Sequence, residues 1–162
     1  MLMKKKPALM FQVKTFQELT PLECYAIFKL RQDVFIVELN LIFSDITELD
    51  QQAHHILYQE EDYLKAYVRV AFEADGSLLL NRLVVPKAER KTGLAHTFFS
   101  RVVEYLRETY PNSPIHLYAR EKLSDFYMGL GFMKGEKRLF EGNPNAFFHF
   151  RFNTNGAVEQ ID

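Results

Sequence analysis

Asn81-Arg82-Leu83-Val84-Val85-Pro86-Lys87-Ala88-Glu89-Arg90-Lys91-Thr92-Gly93-Leu94-Ala95 decides how the chain is read. Leu78 to Val85 has the composition of a strand, Pro86 stops it, and a short basic loop leads to small residues at Gly93 and Ala95. Beyond them Leu94, Phe98, Val102 and Leu106 recur at helical spacing, with Arg101, Glu104, Arg107 and Glu108 on the opposite face. This pattern predicts a helix over Gly93 to Thr109. The first amides of a helix have no carbonyl one turn back, and with the helix dipole they attract anions. Glycine and alanine let a bulky diphosphate approach that backbone, and Arg90 and Lys91 add positive charge beside it. Thr92 can cap the helix or donate to a phosphate oxygen. A Gly-Lys-Ser/Thr triplet is missing, so this is not a P-loop, and without the three-glycine pattern it is not a dinucleotide fingerprint.

Outward from this stretch the chain alternates between strands and helices. Leu9 to Phe16 is read as a first strand. Thr20-Pro21-Leu22-Glu23 is a capping box with proline at the first helical position, predicting a helix toward Glu38. Leu39 to Gln52 is read as a loop or broken helix. His54 to Gln59 and Tyr63 to Phe72 form two strands, and Asp75-Gly76 turns the chain into the strand before the basic loop. Ile115 to Ala119 is a further strand, and Glu121 to Leu130 is a helix closed by Gly131. Phe132 to Phe140 and Ala146 to Phe152 are the last two strands. The expected fold class is α/β of the α+β type, with a single mixed, mostly antiparallel sheet flanked by helices. Residues 1–162 are read as one domain, with 1–8 and 153–162 as flexible tails.

Composition narrows the function. A net charge of −1 gives no overall attraction to nucleic acid or an anionic membrane. The single cysteine, Cys24, forms no intrachain disulfide and sits among helical packing positions. No apolar h-region follows the lysines before Pro7, and no apolar run is long enough to span a bilayer, so a cytoplasmic chain is expected.

Arg90-Lys91-Thr92-Gly93-Leu94-Ala95 resembles the R/Q-x-x-G-x-G/A signature of the GNAT acetyltransferase superfamily. Phe126-Tyr127-Met128-Gly129-Leu130-Gly131-Phe132 is similar to that family's second element, F-Y-x-x-x-G-F. In the N-terminal half Leu30 to Glu38, Asp45-Ile46, Asp50 and Ala53-His54-His55 resemble the ElaA-like branch. Lys91 stands where glycine is common, and Glu141 to Asn145 lacks the histidine of the branch's E-x-G-I-P-H stretch.

The resemblance implies the GNAT acyl-CoA N-acyltransferase fold, acetyl-CoA as co-substrate, and direct attack of a primary amine in a ternary complex. The amine acceptor would be a small molecule or peptide. Leu83, Val84 and Val85 would bond the pantetheine arm as if it were another strand. Arg90, Lys91, Thr92, Gly93, Leu94 and Ala95 would hold the pyrophosphate. Tyr127 stands where many members use a tyrosine as the acid for the departing thiolate. His54 and His55 face opposite sides of a strand, and His55 is the candidate base. His96 follows the phosphate loop and is a further candidate contact. No metal is expected. The acids Asp33, Glu38, Asp45, Glu48, Asp50, Glu60, Glu61 and Asp62 fall in the segment that would wall the acceptor side, which suggests a cationic amine. Two other readings stay open: a non-catalytic module that senses CoA or acetyl-CoA through a protein partner, and an interaction protein that docks through its lysine-rich N-terminus. A monomer or homodimer fits either way.

Overall fold

The computed structural model describes residues 9–152. The residues read as flexible tails, 1–8 and 153–162, lie outside the described residues. Seven strands form one open sheet: β1 Gln12–Thr15, β2 His54–Glu60, β3 Tyr63–Phe72, β4 Leu78–Val84, β5 Ile115–Arg120, β6 Phe132–Leu139 and β7 Ala146–Phe152. Their spatial order is β1-β2-β3-β4-β5-β7-β6. Every neighbouring pair is antiparallel except β4 and β5, which run parallel. This is the mixed α/β sheet predicted from the sequence. No helix among the described residues is long and apolar enough to cross a membrane.

The sheet is covered on two faces by different helices. Helix α3, Leu94–Thr109, buries Phe98, Phe99, Val102, Val103 and Leu106 against Val68, Val70, Leu80, Leu117 and Phe150. Arg101, Glu104, Arg107 and Glu108 stay exposed, as the spacing predicts. Helix α1, Pro21–Arg31, covers the other face and buries Ile27 with Leu57, Leu64, Tyr67 and Val84. Each fully buried Phe or Leu side chain contributes about 2 kcal/mol through area removed from water.

The start of α1 is built by the capping box. Thr20 Oγ1 accepts from the Glu23 amide at 3.1 Å, and the Thr20 amide donates to Glu23 Oε1 at 2.9 Å. Replacing Thr20 by alanine removes one of these bonds, and we expect a loss of about 1 kcal/mol in urea unfolding.

Two helices differ from the prediction. The first does not continue as an α-helix to Glu38; Gln32–Glu38 is a wider π turn, with the Leu39 amide bonded to the Val34 carbonyl at 2.9 Å. Val34, Ile36 and Val37 give this stretch weak α propensity, so the wider turn competes. The helix expected over Glu121 to Leu130 is a 3-10 turn, Glu121–Leu123, followed by α4, Ser124–Gly129. Gly131 ends it with φ of 99°. The segment between α1 and β2 contains one short helix, α2, Leu49–Gln52.

Candidate functional site

The parallel β4–β5 ladder is short. It joins Leu78 to Ile115, Leu79 to His116 and Leu80 to Leu117, and then stops. β4 continues to Val84 and β5 to Arg120, so the two strands part and leave a wedge between them. A bulge marks the parting point. Tyr67 of β3 faces Val84 and Arg69 faces Asn81, so β4 carries one extra residue there. Arg82 takes that strain with φ of 61°, a left-handed conformation that L residues seldom adopt. Leu83 and Val84 therefore lie on a stretch of β4 that β5 leaves unpaired, and Val85 follows directly. An extended ligand can use this edge as a strand would.

The edge leads into the basic loop. Lys91 has φ of 62° and Gly93 φ of 82°, with Thr92 between them in the ordinary region. Alternating backbone of this kind gathers successive amides into an anion-binding concavity at the start of α3. Thr92 is committed within the loop: its hydroxyl donates to the Glu89 carbonyl at 2.7 Å and accepts from the Leu94 amide at 3.3 Å. A Cβ added at Gly93 would meet nothing within 4 Å, so the space in front of the loop is open. The left-handed turn at Lys91 is the reason glycine suits this position. Arg90 bonds Glu38 at the end of the π turn, tying the loop to the wall opposite, and that bond holds the Glu38 carboxyl below its usual range. His96 is exposed and meets Phe126 edge-on.

The acidic segment is largely neutralised internally. Asp45 and Asp50 are buried with Arg31, which is 0% exposed. Arg31 bonds Asp45 Oδ2 at 3.0 Å and Asp50 Oδ1 at 2.6 Å, while Arg69 reaches Asp50 Oδ1 at 2.8 Å. Arg82 reaches Asp45 Oδ1 at 2.7 Å and lies over the Phe43 ring. Asp33 pairs with Lys29, Glu38 with Arg90, and Glu60 with Lys65. Among the described residues this leaves Glu48, Glu61 and Asp62 outside the ion pairs. The cationic-acceptor expectation loses most of the free negative surface on which it rested. The network has another consequence: it clamps α1, the segment before β2, β3 and the β4 bulge to one another, which fixes the wall of the wedge.

His55 is fully buried and both of its ring nitrogens are used. Nε2 donates to the Asp50 carbonyl at 2.8 Å, and Nδ1 accepts from the Tyr67 hydroxyl at 2.7 Å. Burial pushes its pKa below the ordinary histidine value. No nitrogen remains to take a proton from an acceptor, so the structure gives His55 a supporting role and not that of the base. His54 faces the other side of β2 and packs edge-on against Phe72.

Tyr127 of α4 is buried among Phe99, Phe126, Phe132 and Phe150. Burial pushes its phenol well above the ordinary tyrosine value. Its hydroxyl has no hydrogen-bond partner among the described residues. The only sealed, unpartnered side-chain polar atom among them is Ser124 Oγ, so the Tyr127 hydroxyl reaches accessible space. Tyr127 therefore keeps its proton at neutral pH, the state in which a phenol can act as a donor.

Residues 39–152 match the model of the acetyltransferase (GNAT) domain family. The chain is 32% identical to protein ElaA of Escherichia coli over 72% of its own length and 78% of that protein. The crystal structure of E. coli ElaA superposes with a TM-score of 0.79 at 28% identity, covering 89% of this chain and 99% of that one. An acyl-CoA N-acyltransferase from Pseudomonas aeruginosa gives a TM-score of 0.80 at 27% identity, covering 90% of this chain and 99% of that one.

Proposed function

The chain belongs to the GNAT acetyltransferase family, in its ElaA-like branch, and from that footing we propose that it moves an acetyl group from acetyl-CoA to a primary amine. The observation that carries this reading is the end of the β4–β5 ladder at Leu80 and Leu117, with the unpaired edge running straight into the basic loop. The main chain of Leu83, Val84 and Val85 lines the pantetheine arm, and the amides of Lys91 to Ala95 receive the pyrophosphate. Acetyl-CoA supplies the activated acyl group. The protein's part is to hold the amine against the thioester and to manage protons, with no covalent nucleophile required. Tyr127 is the acid that protonates the departing thiolate. The acceptor is a small molecule or a peptide amine.

Replacing Tyr127 by phenylalanine is expected to lower kcat by about a hundredfold, since a positioned acid contributes roughly 10²–10⁴. CoA affinity by calorimetry should be unchanged. Turnover equal to the wild type would remove Tyr127 from this role. The engagement of both His55 nitrogens favours a second reading, a CoA-sensing module without catalysis. Amine-dependent release of thiol from acetyl-CoA separates the two.

A further inference from the structure

With His55 locked, the acetyltransferase reading lacks a base, and a histidine on the last strand fills that place. In the β5–β7 ladder Tyr118 faces His149 and Leu117 faces Phe150. Tyr118 is the first β5 residue beyond the last pair with β4, so it stands at the mouth of the wedge. The His149 ring stacks on Tyr118 with centroids 4.7 Å apart. It therefore lies about 4.8 Å, one strand spacing, from the wall of the wedge. The next residue, Phe150, turns to the other face and touches Tyr127, with ring centroids 5.6 Å apart. His149 and Tyr127 thus flank the sheet from opposite faces.

The protonation state of His149 follows from its partners. Glu73 bonds His116 Nε2, and His116 Nδ1 lies 2.8 Å from His149 Nε2. A carboxylate only accepts, so His116 Nε2 donates to Glu73; with His116 as the neutral tautomer, its Nδ1 accepts from His149 Nε2–H. The lone pair of neutral His149 is then on Nδ1. That nitrogen has no partner among the described residues and is not sealed. His149 lines a groove of about 660 Å³ on the face of β5, β6 and β7 away from α3. The charged and titratable groups around the groove are Tyr118 and His116 of β5, Lys134, Glu136, Lys137 and Arg138 of β6, and Arg151 of β7, with Glu73 beyond β3. Burial first, then the charges of Arg151 and Arg138, hold the His149 pKa below the ordinary value, and Glu73 opposes them. The ring is neutral at pH 7 and ready to accept.

We propose that His149 is the general base for the acceptor amine, positioned by the Glu73–His116 pair; the proposal rests on the acetyltransferase reading. His149 Nδ1 takes a proton from the acceptor ammonium, directly or through one water. The freed nitrogen forms the C–N bond to the acetyl carbonyl carbon as the C–S bond breaks. The departing sulfur takes the Tyr127 proton, the nitrogen gives its second proton to water as the amide forms, and the imidazolium proton restores Tyr127 through solvent. The products are an amide and CoA thiol, with one proton released overall.

The test measures thiol release from saturating acetyl-CoA, with each standard amino acid, spermidine and a lysine-containing peptide as amine probes. In His149→Gln, kcat at pH 7 should fall about a hundredfold, within the range for a positioned base. The loss should shrink as pH rises toward the acceptor's own amine pKa, with CoA affinity and melting temperature unchanged. In Glu73→Gln, KM should hold while kcat falls less, and the acidic limb of the pH profile should move to lower pH, because the carboxylate that raises the His149 pKa is gone. An active wild type with an equally active His149→Gln overturns the base alone. A wild type that binds acetyl-CoA but is inert toward every probe overturns both the base and the acetyltransferase reading. Nitrogen-15 spectra of the His149 ring give a check that needs no turnover. They should show protonated Nε2 and bare Nδ1 at pH 7, and the opposite tautomer or a charged ring overturns the proposal.

Discussion

Replacing Asp50 by alanine is expected to lower unfolding free energy by about 3–5 kcal/mol, the cost of leaving a buried ion pair without one partner. Asp50 is 2% exposed. Its carboxylate accepts from Arg31 Nη1 at 2.6 Å, from Arg69 Nη1 at 2.8 Å and from the Thr47 amide at 3.1 Å. Without it Arg69 keeps Asn81 and Arg31 keeps Asp45, but two guanidinium groups remain in the interior with a single carboxylate between them and Arg82. Typical domains have only about 5–15 kcal/mol in total, so the loss would show as a large drop in urea midpoint. An unchanged midpoint would mean that the network contributes nothing to the fold. The same pairing predicts a pH dependence. Opposing the cost of burial, the bonds from Arg31 and Arg69 lower the Asp50 pKa from 3.8 to about 2. Its contribution is complete above pH 3.8 and is lost as pH falls through about 2.

Gly93→Glu is expected to abolish acetyl-CoA binding in a chain that still folds. Open space surrounds the position, so the new side chain meets no steric barrier. The positive φ costs an L residue about 1–2 kcal/mol, which most domains tolerate. The carboxylate would occupy the space before the first α3 amides and repel the diphosphate there. A loss of affinity of at least about a hundredfold corresponds to roughly 3 kcal/mol. The check is the rise in melting temperature that acetyl-CoA produces: present in the wild type, absent in the variant. An equal rise in both proteins would place the diphosphate elsewhere.

Features set by nearby residues were legible in the sequence. Thr20 to Glu23 announces the start of α1, the Leu94 to Leu106 spacing announces α3, and Gly131 closes α4 where expected. Features set by strand register were not. The end of the β4–β5 ladder and the bulge at Arg82 depend on which residues face each other across strands. The acids between Arg31 and Lys65 read as a free lining because three of their partners, Arg69, Arg82 and Arg90, follow in later segments. His55 looked available because its two partners, Tyr67 and the Asp50 carbonyl, come together only in the folded chain. His149 drew no notice for the same reason: His116 is 33 positions away, and only the β5–β7 register brings them together. One signal was present, since His116 and Tyr118 alternate on one face of a strand.

The unpaired β4 edge and the loop from Arg90 to Ala95 form the proposed acetyl-CoA site. Isothermal titration of the purified chain with acetyl-CoA, and separately with CoA, tests it most directly. The expected result is saturable binding of both at one site per chain, lost in Gly93→Glu. No heat and no thermal stabilisation from either ligand would contradict it.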